Sequence, residues 1–427
     1  MNMTTGQGDS SQVAEHQGFL DAVRGQPVAV WATAFAAVIA FMGIGLVDPI
    51  LPEIAKQLDA GADQVTLLFA VYMGVQVFAM LITGYSSYRF GPKRTLIAGL
   101  AFIVVAAGVS ATANGIGELI ALRVAWGLGN ALFMATALAF IVGSARGGQH
   151  GAILLYEAAL GVGLAVGPLL GAILGEWTWR APFAGTAVLM AIGALLCAMK
   201  LSKDGPATAR PKVGIADPLR ALRNRRLLVT GIGSAFYTAG FFTVIAWAPI
   251  VLDMRPIFLG LVFVGWGLCV ALSGVTLAPR VVEALGERLG VITAVGVFGI
   301  VMAVAAIGTA GDLKPLVMAA IIVSGIPSGV LNTALTGMAM AAGTGPRSVS
   351  SAGYNFLRWM GAAVSALLVA HLAEWFGTNA APYWFAVGYS VVAIAAIAVV
   401  GTQSEPEPAA ATDRRLEEAA LVGAEEM

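Results

Sequence analysis

The chain has 427 residues, 58% of them hydrophobic and 11% charged, with 24 basic residues against 24 acidic ones and a mean hydropathy of +0.84. A soluble domain carries about a quarter charged residues, so this composition excludes an ordinary water-soluble globule and calls for a lipid solvent. The balanced charge supplies no basic surface for nucleic acid, and two cysteines, Cys197 and Cys269, both inside apolar runs, exclude a disulfide framework or a Cys-based metal site.

Residues 1–26 are polar and lack the apolar core and small-residue cleavage site of a signal peptide, so the first apolar run is expected to be retained as a span. Apolar runs then recur at 29–50, 63–86, 94–113, 117–142, 150–175, 181–200, 227–251, 256–279, 289–309, 314–341, 348–373 and 381–401. Each has roughly the 20 residues that cross a hydrocarbon core. Breaks such as Asp48-Pro49, Pro52, Gly91-Pro92, Pro182, Pro315 and Pro382 separate them. The pattern predicts an all-α polytopic membrane protein of about twelve transmembrane helices. The longest interior polar segment, 201–226, divides it into two six-helix halves, 27–200 and 227–401. An acidic, Ala- and Glu-rich tail, 402–427, is expected to lack a fixed fold.

Lys and Arg fix the expected orientation. With the N-terminus cytoplasmic, 18 of the 24 basic residues fall inside, four outside (Lys56, Arg180, Arg255, Lys314) and two, Arg123 and Arg358, within spans. Both tails and the 201–226 linker are therefore placed in the cytoplasm, and the chain in the inner (plasma) membrane as a multi-pass protein. The halves also look related. Gly84-x-x-x-Tyr88-x-x-Gly91 recurs 195 residues later as Pro279-x-x-x-Glu283-x-x-Gly286. Two similar halves joined by a basic linker suggest a transporter with its site between them.

Four segments carry a resemblance to a known family. The first, Gly84-Tyr-Ser-Ser-Tyr88-Arg89-Phe-Gly91-Pro-Lys93-Arg94, has Tyr88 where that family places an acid; Glu283 retains one in the second copy. The second is Arg123-Val-Ala-Trp126-Gly-Leu-Gly-Asn130-Ala131. The third, in the fifth span, sets Gly163, Gly167, Gly171 and Gly175 on one helical face, with Pro168 bending the helix. The fourth is Tyr354-Asn-Phe-Leu-Arg358-Trp-Met-Gly361. Together they resemble the major facilitator superfamily, most closely its twelve-span drug/proton antiporters. The first resembles that family's gating loop, the third its antiporter motif and the fourth a stretch of bacterial multidrug exporters. By that resemblance Arg358 is grouped with the gating positions, at a helix interface or in a wet cavity, and Arg123 with proton coupling or substrate contact. The alternative for Arg123 is snorkelling to the outer surface.

Proton coupling needs a carboxylate inside the bundle, where burial and a neighbouring Arg push its proton affinity in opposite directions. Asp48, before Pro49, and Glu157, in the fifth span, are the candidates, because an acid at membrane depth is costly. The resemblance implies that the first and fourth spans of each half line a central cavity. That points to Phe35, Met42, Trp126, Asn130, Met134, Tyr237, Phe241, Trp247 and Asn332, with Gln76 as a further polar contact. An aromatic and Met-rich lining suits apolar or amphipathic molecules.

No Gly-x-x-x-x-Gly-Lys-Ser/Thr, His-Glu-x-x-His or Gly-x-Ser-x-Gly occurs, and His16, His150 and His371 are scattered. No cofactor, resident metal or catalytic set is expected. The resemblance implies a secondary active transporter exchanging protons for drugs or other hydrophobic small molecules by alternating access, acting as a monomer. Uptake or export of a specific metabolite, a sugar or organic acid, is the alternative. A membrane sensor, scaffold or enzyme is the remote one.

Overall fold

A computed structural model describes residues 25–46, 50–144, 149–202, 212–343 and 345–399, and every regular element among them is helical. In chain order these are α1 (Val28–Gly45), α2 (Leu51–Gln57), α3 (Ala62–Phe90), α4 (Pro92–Ser110), α5 (Ile116–Ser144), α6 (Gln149–Gly175) and α7 (Ala181–Lys200). They are followed by α8 (Asp217–Ala221), α9 (Arg225–Leu252), α10 (Pro256–Ala310), α11 (Lys314–Ala342), α12 (Arg347–Phe376) and α13 (Ala381–Val399). Eleven of them are long and apolar enough to cross a membrane; α2 and α8 are short connectors.

Eleven long helices still make twelve crossings. The 55 residues of α10 would measure about 80 Å as one rod, more than twice a hydrocarbon core. The rod is broken at Gly286, whose φ of 75° and ψ of 161° are not helical. Gly290 folds back against Val281, so α10 is two antiparallel spans. The first half turns the same way: Gly91, with φ 99° and ψ 150°, separates α3 from α4. Both glycines, 195 residues apart, occupy a region of backbone space that is essentially glycine-only. Two residues on, the halves repeat a second device. Lys93 Nζ donates to Ala198 O (2.7 Å) and Leu201 O (2.6 Å) at the end of α7, and Arg288 donates to Ala398 O at the end of α13. Each cation meets the carbonyl-rich, negative end of its half's last helix.

The glycine row of α6 packs on α1. A Cβ added at Gly163 would lie 2.5 Å from Val38 O, and one at Gly167 2.5 Å from Met42 O; Gly171 meets Leu46 O in the same way. The ring of Pro168 sits against Gly45. Only glycine permits this approach, so α6 is keyed to α1 over about two turns.

The halves meet along two seams. In one, α6 packs on the first part of α10 through small residues: Gly161 on Ala271, Ala165 on Gly267 and Leu169 on Gly260. In the other, α3 meets α12, with Gly84 against Ser348 and Phe78 6.3 Å from Phe356. At this second seam the linker contributes Val213, beside Gly84, and α8, whose Pro218 O faces Gly353. The bundle's outside carries apolar side chains such as Val105, Leu272, Ile300 and Val391, all more than half exposed, as a lipid solvent requires.

Candidate functional site

One buried ion pair joins the halves. Glu157 on α6 and Arg358 on α12 are 2% and 4% exposed. Arg358 donates one guanidinium nitrogen to Glu157 Oε1 at 2.9 Å and the other to Glu157 Oε2 at 3.2 Å, a two-pronged pairing. Thr336 on α11 donates to Glu157 Oε1 at 2.7 Å. The guanidinium reaches Thr336 Oγ1 at 3.2 Å and Asn332 Oδ1 at 3.3 Å. Tyr354 OH lies 3.2 Å from Thr336 Oγ1 and 3.1 Å from Ser234 Oγ, continuing the network onto α9. A lone charge at this depth is expensive, and each member of the pair is tolerated because the other is present.

Aromatic rings wall this network. Phe41 of α1 meets Tyr156 edge-on at 5.6 Å and lies nearly parallel to Trp359 at 6.5 Å; Phe242 of α9 closes on Trp359 at 5.5 Å. Rings from both halves thus meet across the midline next to the charges. At the end of the bundle away from the linker, a cleft of about 640 Å³ opens between the halves, bordered by Glu53, Gln57, Trp179, Arg255 and Phe258.

Arg123 forms a separate centre within the first half. It is 6% exposed, with its guanidinium 4.8 Å from the Trp126 ring, 5.5 Å from Tyr72 and 5.7 Å from Phe183. That places it inside the bundle and removes the snorkelling alternative. Asn130 donates to Tyr72 OH beside it, and Gln76 Nε2 approaches Met134 Sδ at 3.8 Å. Asp48 lies outside the described residues.

A family comparison decides what this architecture is: the model of the Major Facilitator Superfamily matches residues 33–359. The chain belongs to the major facilitator superfamily. Within it, the chain is 44% identical over 374 residues to the multidrug efflux protein YfmO of Bacillus subtilis, covering 88% of this chain and 92% of that one. It is 32% identical to the class C tetracycline resistance protein of Escherichia coli over 187 residues, 42% of this chain and 45% of that one. The human organic anion transporter MFSD10 has the same fold, with a TM-score of 0.72 at 16% identity over 87% of this chain and 99% of that one. The chain is a multi-pass membrane transporter of the superfamily fold.

In this major facilitator protein the expected site residues separate into groups. Glu157 and Asn332 share the ion-pair network, and Tyr237 adjoins it, donating from its hydroxyl to Ser328 O at 3.1 Å. Met134 borders the network through Tyr156, whose hydroxyl donates to Met134 O at 3.5 Å. Trp126 and Asn130 surround Arg123. Phe241 packs at a tilt against Trp266, ring centres 5.0 Å apart, inside the second half. Trp247 is tied by its indole N–H to Asn379 O at 2.8 Å, at the end away from the linker. Met42 is buried and meets Gly167 through its backbone carbonyl.

Phe35 is 40% exposed, on the same face of α1 as Val38 and Met42, one turn before the stretch keyed to α6. One expectation is corrected: Arg358 is not part of the gating loop. It lies in the middle of α12, engaged by Glu157, while Gly84 and Gly91 sit at the linker end. There Arg89, Arg94 and Glu283 are exposed and Tyr88 is half-buried. Thr336, Tyr354, Tyr156 and Trp359 were missed. The spacing offered a signal for one of them: Thr336 lies four residues after Asn332, on the same helical face. Tyr354 and Trp359 flank Arg358 within the segment quoted for it.

Proposed function

We propose that this protein exports apolar or amphipathic small molecules in exchange for protons, with the Glu157–Arg358 pair as the proton-sensitive link between its halves. The observation that carries the reading is the pair itself: a carboxylate of the first half and a guanidinium of the second, both buried, bonded at 2.9 and 3.2 Å. A proton arriving on Glu157 cancels its charge and weakens two charge-assisted hydrogen bonds across the midline. Arg358 keeps two acceptors from its own half, Asn332 Oδ1 and Thr336 Oγ1, which stabilise it while the pair is open. The halves are then free to part on one side; loss of the proton restores the link. The names of the relatives, a multidrug efflux protein and a tetracycline resistance protein, support export as the direction and drugs as the cargo.

The same reading sets both tails and the 201–226 linker in the cytoplasm, because 18 of the 24 basic residues then fall on that side. It also has a single chain suffice, since both members of the pair come from one polypeptide. The test is efflux from vesicles loaded with a panel of aromatic drugs under an imposed pH gradient. Export is expected to run only while the gradient stands. Export that continues unchanged after an ionophore collapses the gradient would sink the proposal.

A further inference from the structure

The core around Arg358 holds hydrogen-bond donors that the fold does not use. Trp359 Nε1, Asn332 Nδ2 and Ser328 Oγ are buried and have no hydrogen-bond partner among the described residues. Arg358 donates to Asn332 Oδ1, which turns the amide nitrogen the other way. Ser328 is one turn before Asn332 on the same face of α11. Trp359 follows Arg358 on α12, and its ring packs between Phe41 and Phe242. Asn332 reaches Arg358, Trp359 is the next residue on α12, and Ser328 is a turn away from Asn332, so the three groups are carried by α11 and α12 around the ion pair.

The charge balance of that region is equally specific. Glu157 is the one buried carboxylate among the described residues, and Arg358 and Thr336 already occupy it with three hydrogen bonds. A cationic ligand would find a guanidinium, no unspent carboxylate and one neutral acceptor, Asn355 Oδ1, whereas an oxygen acceptor would find three groups able to donate and without partners. A buried donor left unpaired is costly, so a ligand that supplies an acceptor is favoured over one of the same shape that does not.

Resting on the transporter reading above, we propose that this core binds an uncharged, flat aromatic molecule bearing carbonyl oxygens. The molecule stacks on Phe41, Phe242 and Trp359 and accepts hydrogen bonds from Trp359 Nε1, Asn332 Nδ2 and Ser328 Oγ. Ring stacking supplies affinity for any flat solute; the donors supply the choice among them.

The test uses the full chain in lipid nanodiscs without a pH gradient, with binding to empty nanodiscs subtracted. Three probes share a tricyclic skeleton: anthraquinone, anthracene and N-methylacridinium. Anthraquinone is expected to bind about 10-fold or more tighter than anthracene, and tighter than the cation. Trp359→Phe keeps the ring stack and removes the N–H; Ser328→Ala removes the hydroxyl. Each is expected to lower the anthraquinone-to-anthracene preference about 3- to 10-fold while anthracene binding itself moves less than about 2-fold. Preference for the acridinium cation, or a preference for anthraquinone that neither variant alters, overturns the proposal. Proton-coupled efflux of some other compound alongside such a result leaves the exporter reading standing. Selective anthraquinone binding without any gradient-driven transport would do the reverse.

Discussion

The two halves share their turns and differ at the helices that face each other. Gly91 and Gly286 adopt the same left-sided, extended backbone, and Lys93 and Arg288, each two residues on, clasp the end of the last helix of their half. The counterparts α6 and α12 are unlike. The first brings an acid and is keyed to α1 by a row of glycines; the second brings a base and crosses α9 closely at Gly361, against Ala235 O. Among the described residues the scaffold is thus specified twice and the Glu157–Arg358 pair is divided between the copies. A pair split this way reports on whether the halves are together, which a pair within one half could not do.

The largest effect expected from breaking this asymmetry comes from removing one partner. Arg358→Ala leaves Glu157 charged and unpaired at membrane depth, and should cost about 3–5 kcal/mol of stability. Melting in nanodiscs reads this directly, and Glu157→Gln together with Arg358→Gln should recover much of the loss, because no lone charge then remains. Equal destabilisation by the single and double variants would mean the two side chains are not coupled.

Next are the special glycine positions. Gly167→Ala on α6 should cost about 1–3 kcal/mol, since the added methyl meets Met42 O; Gly74→Ala, which would meet nothing within 4 Å, should be close to neutral. Gly91→Ala and Gly286→Ala should each cost about 1–3 kcal/mol through backbone strain, and at Gly286, where an added methyl would meet nothing within 4 Å, strain is the whole of it. The smallest effect belongs to the clasps: Lys93→Met and Arg288→Met should each cost about 0.3–1 kcal/mol. A Gly91 variant with wild-type stability would show that the turn relaxes without loss.

Much of this was legible in the sequence because lipid imposes simple rules. The twelve spans, the central break and the 195-residue repeat follow from apolar run lengths, the linker's polarity and the spacing of glycines. The four-residue period of Gly163, Gly167, Gly171 and Gly175 announced a close helix contact, and the cost of an intramembrane acid named Asp48 and Glu157 as candidates. What the one-dimensional pattern did not carry is which helices meet. Nothing in the spacing of Glu157 and Arg358, 201 residues apart, pairs them. The same holds along α1: Phe35 and Met42 share one face, and only the packing of α6 shows that Met42 is covered while Phe35 is left 40% exposed.

The central claim, that Glu157 carries the proton which opens and closes the link between the halves, is tested most directly by proton flux in vesicles. Purified wild-type protein and Glu157→Gln would be compared while a substrate gradient drives transport with no initial pH difference. The account predicts that wild type moves protons opposite to substrate, whereas Glu157→Gln still binds substrate but moves no protons with it. Substrate-driven proton flux at the wild-type rate in Glu157→Gln would contradict it.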